Sequence, residues 1–246
     1  MSNLAHQLKL INQIFIKPKH MKQLFSTIAV VALTALSLNA QIKEGYVLYD
    51  MKLEGLPPEQ AAMMGDMETK VTFKNGKALT EMTSMMFTNQ TSVDAAGMTM
   101  LMEQMGNKIA VKQTKEEMEK AAAKEKDKPA DPKIEYTTET KTIAGYECKK
   151  AIVTVVGKDK KEEKVDLWYC EKFDNPNKEG RGRGQSIMKG IKGMPFEYSG
   201  GSGGMKFKMV AKEVSIEPVA DSKFILSTEG YKIMTMDELK AMQGGR

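Results

Sequence analysis

Apolar side chains fall on alternate residues through much of this chain, and a period of two commits those stretches to half-buried β-strands. Val47, Tyr49, Met51 and Leu53 share one face of residues 45–53. Met205, Phe207, Met209 and Ala211 repeat the pattern in residues 205–216. A helix has a period of 3.6 and would scatter these side chains around its axis.

The turn signals agree. Residues 71–80 read as a hairpin with Asn75-Gly76 at its tip, where both positions need positive φ. A second hairpin joins residues 97–105 to 109–112 through a Gly106-Asn107 turn. Residues 134–156 and 161–170 read as two arms of a long hairpin that turns at 157–160. Residues 194–199 lead into a glycine turn at 200–204, and 224–233 offer a further strand.

Helical signals are short. Residues 57–66 read as a helix or a loop. Residues 114–132 read as a charged surface helix or linker, and 235–242 as a helix with Thr235 and Glu238 in a capping box and Gly244 as its stop. Strands joined in sequence by tight turns make an antiparallel meander. The βαβ spacing of a nucleotide-binding parallel sheet is missing. About ten strands in one sheet must curl or close to protect their edges, as a barrel, half-barrel or sandwich.

The N-terminus sets the compartment. Met21 and Lys22 precede an apolar run from Leu24 to Leu38, which ends at Asn39-Ala40. These are the regions of a secretory signal peptide, and the run is short for a membrane span. Met21 is the expected initiator, and cleavage is expected after Ala40. Residues 1–40 are thus a removed extension and signal, and 41–246 a single antiparallel domain with a charged linker near 114–132. No Cys stands at the cleavage site, which argues against a lipid anchor. The expected location is the periplasm or the extracellular space, with membrane contact only through export.

Removing residues 1–40 changes the chemistry. Both histidines, His6 and His20, leave with it, so His-based triads and His-ligated metals are excluded. Four lysines leave as well, and 33 Lys+Arg against 32 Asp+Glu give a net charge of +1. Three arginines (Arg181, Arg183 and Arg246) in a near-neutral chain argue against nucleic-acid binding.

If residues 149 and 169 face each other in the long hairpin, opposite numbers sum to 318. Ala151, Val153 and Lys149 then face Leu167, Val165 and Tyr169, and on the other face Cys148 meets Cys170. In an oxidising compartment the expectation is a structural disulfide between them, with free thiols or a redox or metal role as alternatives.

Nineteen methionines follow residue 40, densest at Met82, Met85, Met86, Met98, Met100, Met102 and Met105. Three readings are open: adaptable core packing, a deformable cavity for a lipid-like ligand, and Cu(I) ligation by thioethers. Met82, Met98, Met100, Met102, Phe207 and Met209 are the candidate lining of such a cavity. No metal or cofactor is expected. The Gly180–Gly184 glycine-arginine stretch reads as a loop, and Ser186 with Lys189 forms no nucleophile signature. No catalytic constellation stands out, so no enzyme is expected.

One further pattern runs through the second half. It comprises Thr142, Gly145, Tyr146, Cys148 and Ala151, then Leu167, Trp168 and Tyr169, then Gly193, Pro195 and Tyr198, and last Phe224 and residues 229–232. This order, spanning roughly 140–235, resembles an exported family of unknown function related to the GLPGLI proteins, with Gly145, Tyr146, Trp168, Tyr169, Gly193 and Pro195 as its motif. The resemblance implies a curved half-barrel sheet like that of periplasmic lipoprotein carriers, with an acyl-chain cavity and no catalytic residues. A lipid or lipoprotein ligand is the expected partner, and an envelope protein the alternative.

Overall fold

The computed structural model describes residues 41–55, 57, 59, 67–124, 130–156, 162–179, 186–202 and 205–242. The readings of residues 1–40, of most of 57–66, of 157–160, of 180–184, of the 203–204 turn and of Gly244 lie outside these. Among the described residues no helix is long and apolar enough to cross a membrane.

Twelve strands form one sheet. The first six are β1 (Glu44–Glu54), β2 (Met67–Lys74), β3 (Lys77–Thr83), β4 (Phe87–Val93), β5 (Gly97–Gln104) and β6 (Asn107–Thr114). The rest are β7 (Lys133–Ile143), β8 (Tyr146–Val156), β9 (Glu162–Cys170), β10 (Met194–Ser202), β11 (Met205–Ser215) and β12 (Lys232–Met234). Among the described residues the helices α1 (Lys115–Lys124) and α2 (Met236–Met242) accompany them.

The order across the sheet is β12-β6-β5-β4-β3-β2-β1-β11-β10-β9-β8-β7. It consists of two meanders, β1–β6 and β7–β11, fused where β1 pairs with β11. All neighbours are antiparallel except β12, which runs parallel to β6. The edges β7 and β12 do not pair, so the sheet is open, although β7 bends back within reach of β11. The bend coincides with a bulge between Tyr136 and Thr140, the device that curves a sheet.

Three tips share one geometry. Asn75-Gly76 has φ of 48° and 81°, Met105-Gly106 has 49° and 82°, and Ala144-Gly145 has 48° and 81°. All three are two-residue turns with positive φ at both positions. The second hairpin therefore turns at Met105-Gly106 and not at Gly106-Asn107. Residues 134–156 are not one arm but the β7–β8 hairpin, closed at Ala144-Gly145. Beyond it the β8–β9 register has Ala151 opposite Leu167 and Val153 opposite Val165, the predicted sum of 318.

Two more expectations need correction, and one strand was not foreseen. Gly200 and Gly201 extend β10 instead of turning, because Phe207 of β11 crosses Gly200: a Cβ there would lie 2.7 Å from its ring. Phe224 starts no strand. It ends a 3-10 turn, Asp221–Phe224, and only Lys232–Met234 becomes β12. β4 shows no apolar alternation, because between Phe87 and Val93 its residues TNQTS are all polar.

Each helix starts at a reciprocal cap. Thr235 N–H donates to Glu238 Oε2 at 2.7 Å, and Glu238 N–H donates to Thr235 Oγ1 at 3.2 Å, as the capping box requires. Thr114 and Glu117 make the same pair at α1. α1 is a surface helix with ion pairs between Lys115 and Glu119 and between Glu116 and Lys120. α2 brings Leu239 onto Ile109, Val111 and Met234 to form a small second core.

The main core lies on the sheet face that carries Val47, Tyr49, Val71, Phe73, Ala151, Val153, Leu167, Tyr169, Tyr198 and Met209. The connection from β9 to β10 straps it. Phe173, Ile187, Met188 and Ile191 of that strap are buried, and burial of each large apolar side chain contributes roughly 1.5–3 kcal/mol. Buried Asn175 shapes the strap: its Nδ2 donates to the carbonyls of Met188 and Ile191, and its Oδ1 accepts from Asn177 N–H.

Candidate functional site

The six lining candidates share one face of the sheet. Met98, Met100 and Met102 alternate along β5, Met82 lies on β3, and Phe207 and Met209 on β11. Cross-strand rungs connect the face. Met209 faces Met51, which faces Met67 on its other side. Thr69 faces Met82, Met82 faces Asn89, and Asn89 faces Met102.

The candidates do not converge on one spot. β5 and β11 are five strands apart, about 24 Å along the sheet at the usual spacing. Met98 and Met209 are buried. Met209 Sδ accepts the Tyr198 hydroxyl at 2.9 Å, and Tyr198 also meets the Phe207 ring edge-on at 6.1 Å. Met100 and Met102 pack against the α2 core. Four positions are half-buried near the middle of the face: Met51 and Leu53 of β1, Met82 and Phe207. Beside them Thr69 is 2% exposed, and its Oγ1 makes no hydrogen bond. A hollow of about 60 Å³ lies elsewhere, between the β2–β3 tip and the strap, lined by Gly76, Val93 and residues 175–179.

The six motif residues gather where β8 begins, β9 ends and β10 begins. Gly145 supplies the left-handed turn position. Tyr146 meets Phe173 at 4.9 Å and Phe196 at 6.0 Å, both edge-on. Tyr169 is buried against Tyr136, which pushes its hydroxyl pKa up to about 12. Gly193 lets β10 press on β9, since a Cβ there would lie 2.3 Å from the Cys170 carbonyl oxygen. The Pro195 carbonyl accepts the buried Tyr49 hydroxyl at 2.7 Å. Trp168 lies on the opposite face under the Lys141 ammonium, 4.2 Å from its ring. Lys141 in turn pairs with Glu197 at 2.6 Å. Five of the six thus have a clear packing or turn role, and the sequence pattern did not include Phe173, on which Tyr146 packs.

Cys148 and Cys170 are fully buried thiols. They adjoin the last β8–β9 rung, Lys149↔Tyr169, with their sulfurs in hydrogen-bonding contact. That contact, aided by burial, raises the Cys148 pKa. The same contact lowers that of Cys170 to about 7, with help from the Lys172 backbone and charge. Among the described residues no group of three or more His, Cys, Asp or Glu could hold a metal ion.

The domain is an open, mostly antiparallel sheet whose motif residues pack and turn the chain. Residues 59–186 match the family described as "Domain of unknown function (DUF4412)", and the chain belongs to it. The match takes in β2 to β6, which the sequence resemblance left out, and stops short of Gly193 and Pro195. No curated protein matches the chain.

Among solved structures the chain is similar to PNGF-II in a C2 space group. Identity is 15%, with 82% of this chain and 32% of that one covered, at a TM-score of 0.42. A P21 form of PNGF-II gives 14% identity, 81% and 33% coverage, and a TM-score of 0.42. The chain spans about a third of the PNGF-II structures it matches. LprF from Mycobacterium bovis gives 13% identity, 75% and 90% coverage, and a TM-score of 0.31.

Proposed function

We propose that this chain is an exported, non-catalytic envelope protein that holds an apolar or lipid-like ligand against the Met-rich face of its sheet. The observation that carries the reading is the half-buried strip of Met51, Leu53, Met82 and Phe207. These side chains are neither sealed in the main core nor scattered singly over the surface. Thioethers are polarisable and rotate freely, so such a strip re-packs around chains of differing shape.

The test is native mass spectrometry of gently purified protein, with titration of a fluorescent fatty acid. The expected result is a co-purifying lipid and saturable uptake. Met82→Glu should weaken uptake tenfold or more, because it sets a charge against an apolar chain. Uptake that is absent, or equal in Met82→Glu, defeats the reading.

A second reading rests on the tips. Met85 and Met105 are 85% and 75% exposed, on the β3–β4 and β5–β6 hairpins at one end of the sheet. That placement fits an interaction module presenting apolar contacts to an envelope protein.

A further inference from the structure

The register brings the two thiols together, and the packing closes them off. β8 and β9 lie second and third from the β7 edge, Cys148 and Cys170 adjoin the last β8–β9 rung, Lys149↔Tyr169, and their side chains meet, both residues at 0% exposure. Cross-strand neighbours have Cβ atoms about 4.5–5.5 Å apart and close to the 3.5–4.5 Å of a disulfide, so a small local adjustment suffices. Phe173 N–H donates to the Cys170 carbonyl, Gly193 lies against that carbonyl, and Lys141 of β7 stands opposite Cys148. Neither cysteine is exposed to solvent in the folded sheet. A catalytic thiol needs exposure, so the geometry rejects that role.

We propose that Cys148 and Cys170 close a cross-strand disulfide while the chain folds, and that the finished sheet then shields the bond from reductant. The oxidant is a small disulfide such as oxidised glutathione. The Cys170 thiolate attacks one of its sulfurs and expels a glutathione thiolate, leaving a mixed disulfide. Cys148 gives up its proton and attacks Cys170 Sγ, expelling the second glutathione. The protein loses two protons and two electrons, and the glutathione disulfide gains them. The pairing does not depend on the ligand reading and stands or falls apart from it.

The test unfolds the full chain in urea with reductant and refolds it in a mixture of reduced and oxidised glutathione. Free thiols are then counted by iodoacetamide labelling in denaturant and intact mass. The expected count is zero labels before reduction and two after it. The oxidised protein should melt roughly 6–12 °C above the Cys148→Ala/Cys170→Ala variant, from the entropy of the closed loop. The folded, oxidised protein should keep its disulfide in dithiothreitol until denaturant is added. Two labels before reduction, or a glutathione adduct on one cysteine, overturns the pairing. Rapid reduction without denaturant overturns the shielding. The label count decides the pairing even if the double variant does not fold.

Discussion

Phe173 offers the sharpest test of how the sheet is held together. It belongs to no strand, yet it is fully buried and meets three rings: Phe73 at 6.2 Å, Tyr146 at 4.9 Å and Phe196 at 5.5 Å. Those rings come from β2, β8 and β10, so one side chain of the strap touches both meanders. Phe173→Ala removes a whole buried ring, a change that costs about 3–5 kcal/mol. Each aromatic pair adds about 0.5–1.5 kcal/mol beyond area burial, which places this variant at the upper end, about 4–5 kcal/mol. Phe173→Leu keeps most of the volume and loses the ring pairs, so its cost is about 1.5–3 kcal/mol. Urea unfolding followed through the single Trp168 reads both. With a slope of about 2–3 kcal/mol per molar, the alanine midpoint falls by about 1.3–2.5 M. A loss below about 2 kcal/mol for alanine, or equal losses for the two variants, refutes the strap as part of the core.

Two further outcomes follow from single residues. Met105 has φ of 49°, where an L side chain is strained and Asn is at home. Met105→Asn should raise the melting midpoint by about 1–4 °C, and a drop rules the strain out. Burial pushes the Glu197 carboxyl pKa up, but ion pairs with Lys141 at 2.6 Å and Lys208 at 3.1 Å outweigh this and hold it below the usual carboxylate value. The stability it contributes is therefore present above the unfolded-state pKa, near ~4.3, and is lost as pH falls through the folded one. Glu197→Gln should flatten the plot of urea midpoint against pH between about pH 5 and 3, and an unchanged slope contradicts the pairing.

Much of this fold is legible from local rules. The Asn75-Gly76 tip, the Thr235–Glu238 cap and the β8–β9 register all follow from turn chemistry or alternation within a few residues. The errors share a cause. Ala144 and Met105 adopt positive φ because the flanking strands pair tightly enough to impose it, and neither residue type announces a turn. Gly200 looked like a turn residue, but Phe207 on the next strand uses its missing Cβ. Phe173 and Asn175 looked like loop residues, and only the approach of the two meanders buries them. The methionine candidates shared a face as the alternation required, but their spread over six strands is a property of strand order, which no local pattern encodes.

The fusion of the two meanders has a kinetic side. β1 is the first strand in the sequence and lies mid-sheet, where Tyr46 donates to Glu213 across 167 positions. The six strands of the first meander can zip up by local contacts. The shared central seam must wait until nearly the whole chain is present. Such long-range closure makes for slow folding, and until it occurs β1 is an unpaired edge open to other chains. The hazard in making this protein thus sits at its centre, in the interval between the first strand and its last partner.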